Sequence, residues 1–511
     1  MKRSLFFGDD LVSVSLPEAA RVLRPPEPAA ALADYEGAVR EALYNPLGCP
    51  PLLSQLHSGS RVTIAFDDPC LPLPPMARDV RGRAIGVVLD ELFKAGIPKE
   101  RIRLVCAIGL HRKWRPRELR HLLGRRVWSE MGSSRIQNHD AEDPSGVVEL
   151  GTSRAGRVVE VNRVVKESDV LVYVNVNWTS MNGGWKSILV GLGTFRSIRQ
   201  HHNSAVLEQG TIMDPDRSAY HAIMAEMGEV VSRTANVFTI ETVIDNRLWS
   251  PWAEKLLFSR NGLEAEKPPL AFRASARLPY AAKRLLTSRL RSAYQPTAVH
   301  AGRVEKVHPV TLQILGEQQT VRVAGQTDAL LVGVPDISPY ASFCRINPIL
   351  VMNMALGYLY NLYQGIPLVR RGGVMIVLNP FVPAFDDRHH PSYREFYERV
   401  LPETRNPREI EERFEMDFAR RPFYLHRYRY GFSYHGVHPL YAWSWGTRAL
   451  GDLSRVIAVG AVDPRVPERM GLEHAASVEQ ALAMAAETLG RGFTLTCPLM
   501  PPIFCPVVTA S

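Results

Sequence analysis

Three short stretches of the 511-residue sequence place chemically capable side chains directly after apolar runs. The first is Asp67-Asp68, two carboxylates at the end of the run 62–66, followed by a loop stiffened by Pro69, Pro72 and Pro74. Acids in such a place either serve a ligand or cap a helix. The second is Gly109-Leu110-His111-Arg112-Lys113, where an imidazole, the usual carrier of protons near neutral pH, follows the run 102–108. The third is Asn182-Gly183-Gly184-Trp185-Lys186, with His201-His202 downstream. Paired glycines let backbone approach a ligand closely, a neutral lysine amine is a nucleophile, and imidazole is a good nitrogen donor to a divalent transition metal. Neither the P-loop spacing nor GxGxxG is present, so a common nucleotide cradle is not what these glycines build.

Positioning these groups requires strands that end beside one another. Strand-length apolar runs alternate with amphipathic helical patterns, a rhythm that predicts an α/β fold: two domains built on largely parallel sheets, with a cofactor cleft between them. In such sheets ligands collect at the carboxyl ends of the strands, where all three stretches lie. The pattern predicts strands over 62–66, 102–108, 147–150, 158–161 and 170–176, with helices over 78–95 and 216–228. Farther on it predicts strands over 329–334, 374–378, 456–460 and 493–496. One helix between them should start at Asn347 with Pro348 in its first turn, and another at the capping pair Ser477 and Gln480 ahead of 481–489. The division expected is 1–265 for a cofactor-binding domain, 266–310 for a basic linker or helical segment, and 311–511 for a second α/β domain.

Composition narrows the function classes. With 46% hydrophobic and 22% charged residues the chain is globular, which excludes disorder and fibre. Six cysteines without a CxxC pair fit neither a disulfide framework nor a structural zinc module, and a cytoplasmic location is expected. The first ten residues lack a signal-peptide core, and the charge-free stretches 346–369 and 492–511 are interrupted by prolines, so no membrane association is expected. Of the net charge of +9, seven units fall within 271–306, which holds eight cations and one acid. That segment has no recognised nucleic-acid module and reads as a solvated helical face.

In order along the chain, these stretches resemble the nickel-dependent lactate racemase family. Its Asp-x-Thr-Arg-Pro-x-Pro corresponds to Asp68-Pro69-Cys70-Leu71-Pro72-Leu73-Pro74, and its Gly-Thr-His-Arg to Gly109-Leu110-His111-Arg112. Asn138-His139-Asp140, Gly183-Gly184-Trp185-Lys186 and His201-His202 come next, with sixteen residues from Lys186 to His202 as in the family. The second half is less similar, in Pro335 to Tyr340 and Gly372-Gly373-Val374. The resemblance implies a nickel pincer nucleotide tethered by Lys186 through a thioamide, nickel ligation by His202, and Gly183, Gly184 and Asp68 around the cofactor. It further implies that His111 exchanges the substrate hydroxyl proton, in a racemase or epimerase acting by reversible hydride transfer on a 2-hydroxy acid or related secondary alcohol, with cofactor-maturation enzymes as partners.

Two departures bear on the substrate. Leu71 stands where the family has an arginine for the substrate carboxylate, and the stretch Val174 to Ser180 lacks the family's second histidine, so simple lactate is not the expected substrate. A single-face oxidoreductase, or a cofactor-binding protein with degraded catalysis, are the alternatives. Tyr340 and Arg345 are expected to face substrate, Arg345 as the candidate to restore the carboxylate contact. Trp178 and Trp185 mark either an apolar substrate pocket or core packing, and Asp386 to His390 either the missing base or a polar loop. His435 and His438 read as structure.

Overall fold

In the computed structural model, residues 1–250, 266–341 and 344–510 are described. The boundary expected at 265 lies outside them. Two six-stranded sheets organise the chain. Their strands are β1 (Arg21–Leu23), β2 (Val62–Asp67), β3 (Ile102–Ala107), β4 (Ile136–Asn138), β5 (Val170–Asn177), β6 (Val237–Ile244), β7 (Pro296–Gly302), β8 (Thr327–Gly333), β9 (Val369–Leu378), β10 (Arg455–Val459), β11 (Glu473–Ala475) and β12 (Leu495–Pro498).

The first sheet runs β7-β6-β5-β2-β3-β4, parallel throughout except for β7, which pairs antiparallel with β6. The second runs β11-β10-β9-β8-β12-β1 and is parallel throughout. Both central β5 and β6 are buried along their whole length, as parallel strands covered on both faces must be. The runs 147–150 and 158–161 are strands too, but they pair with each other in an antiparallel ribbon outside the large sheets.

The segment 266–310 departs from the expected linker. Helices Leu270–Ser275 and Tyr280–Thr287 each start behind a proline, but Pro296–Gly302 is an edge strand of the first sheet. Proline is tolerated there because it opens an edge strand, and pairing with β6 overrides the helical pattern read from Arg, Ala and Leu. Strand β1 meanwhile crosses to the second sheet beside β12, so the second unit is not a contiguous stretch. One apolar cluster joins the two units, running from Ala65, Tyr173 and Met181 to Leu330, Leu356 and Trp445. No helix of the described residues is long and apolar enough to cross a membrane.

Local signals behaved as their chemistry dictates. Asn347 accepts the Leu350 N–H at 3.1 Å to open the helix Pro348–Met352. Ser477 accepts from Gln480 N–H at 3.2 Å ahead of Val478–Leu489.

Candidate active site

The carboxyl ends of β2, β3 and β5 open into a cavity. Asp67, Asp68, His111, Lys186, His202 and Tyr340 all line it.

Asp68 comes directly after the last residue of β2, and its loop is held by the buried Arg81, whose guanidinium donates to the carbonyls of Asp67 and Asp68 at 3.1 and 2.7 Å. The Asp68 carboxylate accepts from His111 Nδ1 at 3.0 Å, Trp114 Nε1 at 3.2 Å and the Cys70 N–H at 3.3 Å. Burial alone would raise its pKa, but the His111 charge and these hydrogen bonds outweigh burial and hold it below the usual carboxylate range. Asp67 accepts instead from Val176 N–H at 3.0 Å and Tyr173 Oη at 3.2 Å, tying β2 to β5, and burial pushes its pKa up to about 6.

His111 stands on a turn closed by its own N–H to Ile108 O at 2.8 Å. The second unit fixes this turn: Tyr428 Oη donates to Gly109 O at 2.8 Å, and His435 N–H donates to Leu110 O at 3.0 Å. Tyr340, His438 and Tyr434 surround the imidazole edge-on, with ring centroids 5.3, 5.5 and 5.8 Å away. With Nδ1–H given to Asp68, Nε2 is left as the proton acceptor. Asp68, Cys70 and His111 also bring three donor atoms within 4.8 Å of one another. Burial raises the Cys70 thiol well above its ordinary pKa, which keeps it protonated and a poor metal ligand.

Lys186 sits in the short helix Trp185–Leu189, just beyond the two glycines. Its amine lines the cavity and makes no hydrogen bond or ion pair among the described residues. Burial lowers its pKa, with Asp67, Cys70 and Asp68 pulling partly back. A lysine of this kind reaches its nucleophilic neutral form at a lower pH than an exposed one. Of the two glycines before it, Gly183 also lines the cavity, and both stand in close packing. Gly183 and Gly184 have φ of 86° and 62°. A Cβ on Gly183 would overlap the Asn177 amide, and one on Gly184 would stand 2.6 Å from the His308 ring.

The buried Glu241 on β6 explains that crowding. It accepts from Gly184 N–H at 2.7 Å, His308 Nδ1 at 3.0 Å and Asn177 Nδ2 at 3.3 Å. Burial pushes its pKa up, but His308 and the hydrogen bonds more than reverse this, so it is lowered overall. Its stabilising contribution is therefore present above the ordinary glutamate pKa and is lost as pH falls through the depressed value. Glu241→Ala leaves the Gly184 N–H and His308 Nδ1 without their acceptor and is expected to cost about 3 kcal/mol in urea unfolding at neutral pH.

His202 also lines the cavity, and its Nδ1 lies 2.7 Å from His201 Nδ1. If His202 Nδ1 carries the shared proton, Nε2 presents its lone pair, and among the described residues it has no hydrogen-bond partner. Burial lowers the pKa of both rings, most for His202, keeping them neutral as ligation requires.

Two residues expected at the substrate lie outside the lining of this cavity. Arg345 stacks its guanidinium 3.6 Å over the Tyr280 ring and approaches the Asp9 carboxylate at 3.9 Å, away from the cavity lining. Trp178 lines an adjoining apolar cavity, its ring tilted against Tyr294 at 5.8 Å. Trp185 packs on the helix Ala219–Thr234 at Gly228. His139 is fully buried, with Nε2 donating to Gly193 O at 2.9 Å, and serves the fold. His390 lies behind Tyr340, giving its Nε2–H to the Tyr340 carbonyl at 2.8 Å.

Sequence reasoning missed Tyr358 and His438. The Tyr358 hydroxyl bonds that of Tyr340 at 2.7 Å inside the cavity. His438 opens the helix His438–Ser444 with Nδ1 2.5 Å from Tyr393 Oη and stands 4.7 Å from Tyr340, centroid to centroid. Neither carries a spacing signal, because each meets the site only through folding of the second unit.

Residues 7–214 match the model of the lactate racemase N-terminal domain. The chain is similar to the lactate racemases, in sequence over part of its length and in fold throughout. It is 26% identical over 217 residues to a lactate racemase of Lactiplantibacillus plantarum, covering 40% of this chain and 47% of that protein. Against the lactate racemase of Thermoanaerobacterium thermosaccharolyticum it is 24% identical over 182 residues, 34% of this chain and 39% of that one. These alignments span less than half of the lactate racemases they match. The fold is shared more widely. The lactate racemase apoprotein structure from the latter organism superposes with a TM-score of 0.66 at 18% identity, covering 99% of this chain and all of the other. A Thermotoga maritima protein superposes with a TM-score of 0.53 at 14% identity, covering 94% of this chain.

Proposed function

We propose that the chain is a racemase or epimerase of a 2-hydroxy acid or related secondary alcohol, working with a nickel pincer nucleotide in the cavity between its sheets. The observation that carries this reading is a lysine with no hydrogen-bond or ion-pair partner among the described residues and a neutral imidazole, lining one cavity with an Asp-oriented histidine. These residues fit the group: Lys186 would hold it covalently, and His202 Nε2 would bind nickel, a borderline metal suited to imidazole. When bound, such a group supplies a reversible hydride acceptor.

The chain's own residues supply the rest. His111 Nε2 takes the substrate hydroxyl proton and returns it, while Asp68 holds the ring and favours its charged form. The aromatic wall of Tyr340, Tyr434 and His438 excludes water from that proton. Protein made beside the cofactor-building enzymes should carry nickel, show added mass on the Lys186 peptide, and convert a single enantiomer of a C2-deuterated hydroxy acid with the deuterium retained. Loss of the deuterium to water would reject hydride transfer.

A second reading keeps the group but works from one face. Val176 lines the cavity where the family resemblance calls for a histidine, and burial holds the hydroxyls of Tyr340 and Tyr358 far from a basic form. A keto product formed without the opposite enantiomer would favour it.

A further inference from the structure

Beside the reactive cavity lies a second one, lined by both units. Leu73, Trp178 and Met213 come from the first unit, and Ile337, Met354 and Leu362 from the second. Among the described residues its lining carries no charged side chain. Its two hydroxyls are already committed, Thr179 Oγ1 to Asn182 at 3.0 Å and Tyr358 Oη to Tyr340 at 2.7 Å. A buried water needs two to four polar partners, so this space holds water poorly and apolar matter well. The two cavities share a wall made of Leu71, Met181, Pro339 and Tyr358. Leucine and methionine are the movable parts of that wall, and methionine adapts readily to irregular neighbours.

From this adjacency we infer that the second cavity is the subsite for an apolar chain of the substrate, whose carbinol carbon lies beside His111 while its chain passes Leu71 and Met181. The substrate class is then a 2-hydroxy compound with a straight apolar chain. This rests on the racemase reading above for the position of the carbinol carbon. Each methylene drawn into the cavity is expected to improve kcat/KM about fourfold, from the transfer free energy of a buried methylene.

The test is a ladder of straight-chain 2-hydroxy acids from lactate to 2-hydroxyoctanoate, given to cofactor-loaded protein for racemisation and to the apoprotein for calorimetric binding. The expected result is a rise in both affinity and kcat/KM with each carbon, flattened for the longer acids alone in Met354→Trp, which fills the cavity away from His111. Leu362→Phe serves the same purpose should that variant fail to fold. Racemisation of lactate as efficient as that of 2-hydroxyoctanoate would overturn the subsite and leave the racemase reading intact. Affinity graded by chain length, lost in the filled variants, with no racemisation of any acid would support the apolar subsite and sink the racemase reading.

Discussion

Lys186→Met is expected to leave a folded chain that takes up no covalent group and has no turnover, with an intact mass equal to the sequence mass even when produced beside the cofactor-building enzymes. The amine is buried, lines the cavity and has no ion-pair partner among the described residues, so nothing structural is lost with it. Its lowered pKa gives the sign of the stability change. A lysine whose pKa is depressed by folding binds its proton less well in the native state, so it penalises stability below the native value and relieves that penalty as pH rises toward the unfolded value. Methionine at this site should therefore raise the Tm of the apoprotein at neutral pH while abolishing attachment. Lys186→Arg separates charge from chemistry: a guanidinium stays protonated and cannot acylate, so it too should remain unloaded, but with a lower Tm from burying a permanent charge. Attachment surviving in either variant would remove Lys186 from the mechanism.

The parts of this site legible in the sequence were those set by strand ends. A parallel strand presents the residues just past its carboxyl end to the same edge of the sheet as its neighbours do. Asp68 after β2, His111 after β3 and the Gly183 to Lys186 loop after β5 therefore had to approach one another once the rhythm of runs was read as a parallel sheet. Direction was not legible. Trp178 is the residue after β5, yet its indole enters the neighbouring cavity, because that strand's end turns toward Tyr294 and the second unit. Arg345 lies five residues beyond Tyr340, but Tyr280 and Asp9 capture its guanidinium, and both come from segments remote in sequence. The same long-range logic hid β7, which is a strand only because β6 offers it an edge. It also hid His438, which reaches His111 across the whole length separating the two units.

The second large effect expected is at His111, the proposed proton carrier. His111→Ala should lower kcat by a factor of about 10²–10⁴, the usual range for a lost acid–base group, with nickel content and mass unchanged because Lys186 and His202 remain. Asp68→Asn tests the arrangement more finely. The carboxylate both fixes Nδ1–H toward itself and stabilises the charged ring formed when Nε2 takes the hydroxyl proton, so its neutral replacement should cost about 10- to 100-fold in kcat. Because folding depresses the Asp68 pKa, the carboxylate stays ionised through the neutral range and loses its effect only as pH falls through that depressed value. A full 10²-fold loss accompanied by a lowered Tm would instead assign Asp68 to holding its loop, through Trp114 and the Cys70 N–H, rather than to the proton.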